Sequence, residues 1–230
     1  MRLSIIIPVL DESENLQCTI PTLFKIGGSD LLEIIVVDGG SRDESKEIAR
    51  TLGAKVLNSE VRSRAAQMNL GAKYAQGEIL YFVHADVRLV PGFVKEIQNA
   101  ISVGYAAGCF RYRFDSPKLM LRINSWFTRF NGLLVGGGDQ TLFIGKSTFN
   151  ALGGFDEHYT IMEDFDLVRK IKRKYTFRLL PKSILVSARK YETNSWLRVQ
   201  WANLVAFLMF FLKIHPQKIK STYKRMLDYR

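Results

Sequence analysis

The chain has 230 residues, 47% of them hydrophobic, and a formal net charge of +11. That is enough for one large α/β domain, or for such a domain with a helical appendage. Two cysteines far apart, Cys18 and Cys109, exclude a cysteine metal cluster and fit free thiols in a reducing compartment. The longest apolar run, Leu204 to Leu212, is well short of the roughly 18 residues a spanning helix needs. The excess positive charge suits anionic partners: nucleotide phosphates, nucleic acid or an anionic membrane surface.

Met1-Arg2-Leu3 runs straight into an apolar stretch closed by Pro8, with no secretory leader pattern, so a cytoplasmic protein is expected. Leu3 to Val9 predicts a buried strand. Asp11 to Asn15 is rich in helix-starting types and predicts a helix toward Phe24, kinked or restarted at Pro21. Glu33 to Asp38 predicts a second buried strand, followed by a tight turn, with Ser41 or Asp43 capping a helix through Leu52. Lys55 to Leu57 is a short third strand. Ser63 to Ala75 is a helix stopped by Gly77. Ile79 to Asp86 is the fourth strand, an apolar run that ends abruptly in His84 and Asp86.

This alternation implies a doubly wound, mostly parallel sheet. Further on, Phe93 to Ile101 predicts a helix. Tyr105 to Phe114 predicts an antiparallel or edge strand, and Leu119 to Leu134 has helical spacing broken at Gly136-Gly137-Gly138. Thr141 to Ile144 and Ile184 to Ser187 are short strands, Gly153 to Asp156 a turn, and Glu163 to Arg173 a helix. From Ser195 the chain predicts a helix through Leu212, then Pro216 and a basic tail.

In open α/β sheets, ligands bind beyond the carboxyl ends of the strands. Asp38 and Asp86 stand at such ends. A carboxylate there suits a hard divalent cation, which is usually held by one or two carboxylates plus substrate phosphates. The same residues also serve as ordinary turn caps.

The ordered pieces Ile5-Ile6-Ile7-Pro8 with Asp11-Glu12, Val36 to Ser41 with Asp43, Arg64 to Asn69, His84-Ala85-Asp86, Gly153 to Asp156 and Glu163-Asp164 carry a resemblance. Over roughly residues 1–190 the chain resembles the inverting family 2 glycosyltransferases of the GT-A fold. The resemblance implies a GT-A domain over 1–190, with a nucleotide-sugar-binding half (1–115) and an acceptor half (116–190). Residues 191–230 form a basic C-terminal helical extension. It implies transfer of one sugar from a nucleoside-diphosphate sugar to a hydroxyl acceptor, with inversion and with Mg²⁺ or Mn²⁺.

By the same resemblance, Pro8, Glu12, Asp38 and Gly40 line the nucleoside pocket. Arg64 reaches the diphosphate from a helix start, Gln67 one turn on supports it, and Asn69 on the same helix belongs to the nucleotide-sugar-binding set. Asp86 is the metal contact, and His84 replaces the first Asp of the family's Asp-x-Asp. His84 then meets the ribose, a metal-bound water or the metal. Asp164 is the general base with Glu163 beside it. Gly138, Asp139 and Gln140 belong to an acceptor loop. Ser187 to Tyr191 resembles a basic segment of a small bacterial subgroup, in which Arg189 and Lys190 close over the diphosphate. The Gln-x-x-Arg-Trp pattern of processive synthases is missing, which implies single transfers.

Trp196, Trp201, Phe207, Phe210 and Phe211, followed by Lys213, Lys218, Lys220, Lys224 and Arg225, suit peripheral contact with the inner face of a membrane. A lipid-linked acceptor would fit there. Packing against the domain or a homodimer explains the same residues. Two other functions fit less well. A nucleotidyltransferase needs a glycine-rich basic loop after the first strand, and Val9 to Glu12 is acidic. A catalytically silent sugar-nucleotide binder or regulator fits the His84 change but not the retention of Asp86 and Asp164. No nucleic-acid motif occurs, so nucleic acid is not expected as a partner.

Overall fold

The computed structural model describes residues 1–130, 132 and 140–228. The element order is β1 (Leu3–Val9), α1 (Ser13–Gly27), β2 (Leu31–Asp38), α2 (Ser45–Thr51), β3 (Lys55–Asn58), α3 (Arg64–Tyr74), β4 (Ile79–Phe82), α4 (Phe93–Ser102), β5 (Ala107–Phe114), α5 (Leu119–Phe127), β6 (Leu142–Gly145), α6 (Lys146–Ala151), α7 (Glu163–Lys174), β7 (Phe177–Val186), α8 (Lys190–Thr193), α9 (Trp196–Phe211) and α10 (Pro216–Met226). Seven strands form one sheet in the order β3-β2-β1-β4-β6-β5-β7. The first four are mutually parallel, β6 runs against both neighbours, and β7 is parallel to β5.

The apolar runs explain this centre. Every residue of β1 is buried, as is every residue of β4, because helices cover both faces. One core cluster lies under α1, α4, α9 and α10, and a second lies under α3, α6 and α7. Gly71 lets α3 approach the sheet, since a Cβ there would collide with Ile6 and press on Val37.

Several sequence expectations are corrected. α1 runs through Pro21 without a restart. Pro21 lacks the N–H of an ordinary turn, yet the burial of Leu16, Ile20 and Leu23 on the inner face outweighs that loss. β4 stops at Phe82, so His84 and Asp86 lie in the loop beyond the strand. Of the two readings of Tyr105 to Phe114, β5 meets the antiparallel one, against β6, and is not an edge, because β6 and β7 flank it. β7 begins at Phe177, seven residues before expectation. Its ladder to β5 jumps from Phe110–Leu180 to Arg111–Ser183. Pro181 and Lys182 form the resulting bulge, where a missing N–H does little harm. The helix expected from Leu119 to Leu134 ends at Phe127. The basic tail is helical: His215 caps α10 and Pro216 occupies its first turn, a position that suits proline.

Gly71→Ala is expected to destabilise the fold by about 1–3 kcal/mol through overpacking between α3 and β1. Urea unfolding of the purified variant checks this, and an unchanged midpoint would show that α3 can shift freely.

Candidate active site

The carboxyl ends of β1, β2 and β4 share one edge of the sheet, as their parallel registers require. Gln67 holds two of them together. Its buried amide nitrogen donates to the carbonyls of Val9 (2.9 Å) and Val37 (2.7 Å). The structure therefore places Gln67 beneath the strand ends rather than in the open crevice. Asp38 is also buried and accepts from the backbone N–H groups of Gly40 (2.8 Å) and Ser41 (3.1 Å). This holds Gly40 at its φ of 93°, and lone pairs on the carboxylate are left for a further donor. Arg62, which sequence reasoning missed, donates to the carbonyls of Gly39 and Gly40.

The loops after β1 and β2 are stitched to each other. The N–H of Asp11 donates to Ser41 Oγ, that of Arg42 to Asp11 Oδ1, and that of Glu12 to Ser45 Oγ. Asp43 serves two helices at once, accepting from the N–H of Ser13 at the start of α1 and that of Ser45 at the start of α2. Partial burial raises its pKa, but hydrogen bonds from Ser45 and Ser13 outweigh that and hold it at about 2.

Asn69 binds a different partner from the one expected. It donates to the carbonyl of Phe155 and accepts from its N–H, both at 2.9 Å, and also donates to Glu157. It thereby anchors the turn of Gly153 and Gly154, which both have positive φ, and with it the loop leading to α7. Gln140 is buried and donates to the carbonyl of Phe110. Gly138 and Asp139 lie outside the described residues.

Pro8, His84, Gln140 and Asp164 line one cleft, floored by Met68, Phe82 and Phe155. Asp86 is half-buried in the loop that follows β4. Residues from four distant stretches of sequence thus converge at one point. Glu163 and Asp164 open α7 after Met162, whose φ is 70°. Glu163 is 3% exposed. Burial and the neighbouring Asp164 push its carboxyl up to about 7, against the pull of Arg64 and Lys220. Asp166, one turn on, is paired with Arg169 (2.9 Å) and Lys170 (2.7 Å).

The C-terminal segments reach this edge. Arg189 pairs with Glu12 at 3.5 Å, so the segment after β7 crosses to the loop after β1. Asp115 holds that segment by accepting from the N–H of Ala188. Lys190 instead lies over the ring of Tyr223 on α10, which turns it toward the helical hairpin. Phe165 packs on Phe207, Tyr159 on Phe210, and His158 on His215. The hairpin therefore braces the stretch that carries the acid pair.

The sheet order, the crevice and the acid pair at a helix start define a GT-A transferase architecture. The family model described as glycosyl transferase family 2 matches residues 4–156, and the chain belongs to that family. Among curated relatives, 4,4'-diaponeurosporenoate glycosyltransferase of Staphylococcus haemolyticus is 36% identical over 94 residues, covering 38% of this chain and 24% of that protein. The chain spans less than half the length of the curated relatives it matches. Among solved structures, a mannosyltransferase from Pyrobaculum calidifontis in complex with GDP-Man and Mn²⁺ superposes with a TM-score of 0.67 at 17% identity, over 89% of this chain and 62% of that one. Glucosyl-3-phosphoglycerate synthase of Mycobacterium tuberculosis, in complex with Mn²⁺, UDP and glucosyl-3-phosphoglycerate, superposes with a TM-score of 0.64 at 16% identity. That match covers 93% of this chain and 80% of the other.

A carboxyl raised in the folded state binds more protons there than in the unfolded chain. Glu163 should therefore draw down stability as pH rises from its ordinary 4.5 to about 7. The melting temperature of Glu163→Gln relative to the native chain is expected to climb across that window. A constant difference would show that Glu163 titrates alike in the folded and unfolded chain.

Proposed function

We propose that the protein transfers a single sugar from a nucleoside-diphosphate sugar to a hydroxyl acceptor, with inversion at the anomeric carbon. The observation that carries this reading is the convergence of Pro8, His84, Gln140 and Asp164 on one cleft beside Asp86. Strand-end residues of 1–115 would receive the donor and residues of 116–190 the acceptor. Asp38, Gly40, Glu12 and Pro8 would meet the nucleoside, while Arg64 and Arg189 would meet the diphosphate, with geometry suited to paired contacts. Gln67, Asn69 and Lys190 act by holding those elements in place.

Asp164 takes the proton of the acceptor hydroxyl as its oxygen attacks the anomeric carbon. The new C–O bond forms on one face while the bond to the diphosphate breaks on the other, and the electron pair leaves with the diphosphate. Glu163, whose carboxyl burial and the neighbouring Asp164 push up to about 7, lies directly beside that base.

A divalent cation suits this site. Asp86 supplies a hard oxygen from the loop beyond β4. Among the described residues no group of three or more His, Cys, Asp or Glu gathers. A divalent ion is commonly held by one or two protein carboxylates and completed by substrate phosphates. Mn²⁺ stands in both the mannosyltransferase and the synthase complexes. When bound, such an ion neutralises charge on the leaving diphosphate.

The acceptor is proposed to be lipid-linked, at the inner face of the cytoplasmic membrane. Trp201 and Phe211, exposed on α9, support this, whereas Phe210 is buried and Phe207 packs on Phe165. No helix among the described residues is long and apolar enough to cross a membrane.

Asp164→Asn is expected to lower transfer by about 10²–10⁴-fold with nucleotide affinity nearly unchanged. Substantial residual turnover would move the base elsewhere. Calorimetric titration of UDP, GDP, CDP and dTDP, with and without Mn²⁺, should find one nucleotide bound tightly only with the ion. Asp86→Ala should remove that metal dependence, and a native response to Mn²⁺ in the variant would place the ion on other residues.

A further inference from the structure

Among the described residues, two helices present exposed apolar faces. α9 is 16 residues long, about 24 Å at 1.5 Å per residue. Its inner face, Val199, Ala202, Ala206 and Phe210, is buried. On its outer side Leu197, Trp201, Leu204, Leu208 and Phe211, continued by Leu212, are 47–73% exposed. At 3.6 residues per turn these six fall within an arc of roughly 100°. α5 repeats the pattern. Leu121 is its only buried residue, while Leu119, Ile123, Trp126, Phe127 and, beyond its end, Phe130 are 40–65% exposed.

The two helices are linked through one residue. Tyr191 joins them, because its carbonyl accepts from Lys118 Nζ just before α5 and its hydroxyl accepts from Gln200 of α9. Leu121 and the inner face of α9 also enter the same core cluster, so both helices lie on one side of the sheet. Monomeric proteins rarely leave contiguous apolar surface of this kind to water.

Charge selects the occupant. Residues 118–130 contain Lys118, Arg122 and Arg129 and no Asp or Glu. Residues 193–227 contain six Lys or Arg and likewise no Asp or Glu. One of the six, Arg198, is neutralised by Asp228; Lys213, Lys218, Lys224 and Arg225 are exposed. The Arg129 guanidinium lies over the Trp126 ring at 5.0 Å, a cation set beside an aromatic as at a headgroup boundary. A second copy of this chain on the same face would bring two cationic rims together, whereas anionic headgroups would neutralise them.

We propose that the outer faces of α5 and α9 form a docking surface for an anionic lipid bilayer, with the aromatic and leucine side chains in the acyl boundary and the basic residues at the headgroups. This deepens the reading of a transferase with a lipid-linked acceptor and draws its purpose from that reading, but binding itself needs no sugar.

The test is sedimentation of the full chain with sucrose-loaded vesicles, either phosphatidylglycerol–phosphatidylcholine or phosphatidylcholine alone. Two double variants, Leu204→Glu with Leu208→Glu and Trp126→Glu with Phe127→Glu, accompany the native chain. The native chain should bind the anionic vesicles, more weakly as salt rises. Each double variant should bind at least about ten-fold less, while keeping the native near-ultraviolet circular dichroism and nucleotide affinity. The two pairs lie on separate helices, so misfolding of one leaves the other informative. Equal sedimentation with both vesicle types, or native binding by both variants, would overturn the proposal. So would self-association that the variants abolish without vesicle binding, which would assign the face to a second copy. Vesicle binding without any sugar transfer would sink the transferase reading and leave the docking surface standing.

Discussion

Two hydrogen bonds from the buried amide of Gln67 fasten the ends of β1 and β2, and much of the site depends on that clasp. The carbonyls of Val9 and Val37 stand where the strands give way to loops, and that of Val9 also accepts from the N–H of Gly39, so the amide adds to the backbone bonding there. A helix that packs close to the sheet, as Gly71 allows, delivers the amide to them. With these ends fixed, Asp38 can shape its turn, and the loops carrying Glu12 and Gly40 have a defined origin.

Electrostatics on the opposite side follow a different logic. Glu163 is buried beside another carboxylate, and the nearby cations Arg64 and Lys220 only partly compensate. Lys220 comes from the last helix, so the chain's final segment influences a pair of acids more than fifty residues earlier. The ring contacts of Phe165, Tyr159 and His158 with that hairpin are the mechanical counterpart of the same link. Keeping Glu163 buried while Asp164 faces the cleft needs walls, and the hairpin is one of them.

The parallel centre was legible because β1, β2 and β4 are continuous apolar runs ending in Pro8, Asp38 and His84. Such runs have few other homes than a sheet covered on both faces. The convergence of Pro8, His84 and Asp164 was legible only through the family resemblance, since no local pattern joins them. Gln67 and Asn69 looked like ligands because they are polar residues beside Arg64. Their carbonyl partners, in β1, β2 and the turn at Phe155, are set by tertiary packing that no local spacing reveals. The start of β7 was hidden by Pro181 and Lys182, which break the strand pattern and sit in its bulge. The α10 helix had a visible signal, His215 before Pro216, that its basic composition obscured.

The stitching between the loops after β1 and β2 has a thermodynamic consequence. Four backbone N–H groups are committed across it, to Ser41, Asp11, Ser45 and Asp43. Ordering these loops is therefore accomplished during folding, and an arriving molecule is not charged for it again. Over that part of the crevice, affinity can follow directly from contacts made. The Arg189 side chain differs, since among the described residues a 3.5 Å ion pair to Glu12 is what ties it to the loop after β1, while the backbone around it is held separately by Asp115. Exposed pairs of this type are worth about 0–1 kcal/mol. The crevice thus has a rigid wall and a latch that thermal energy can open.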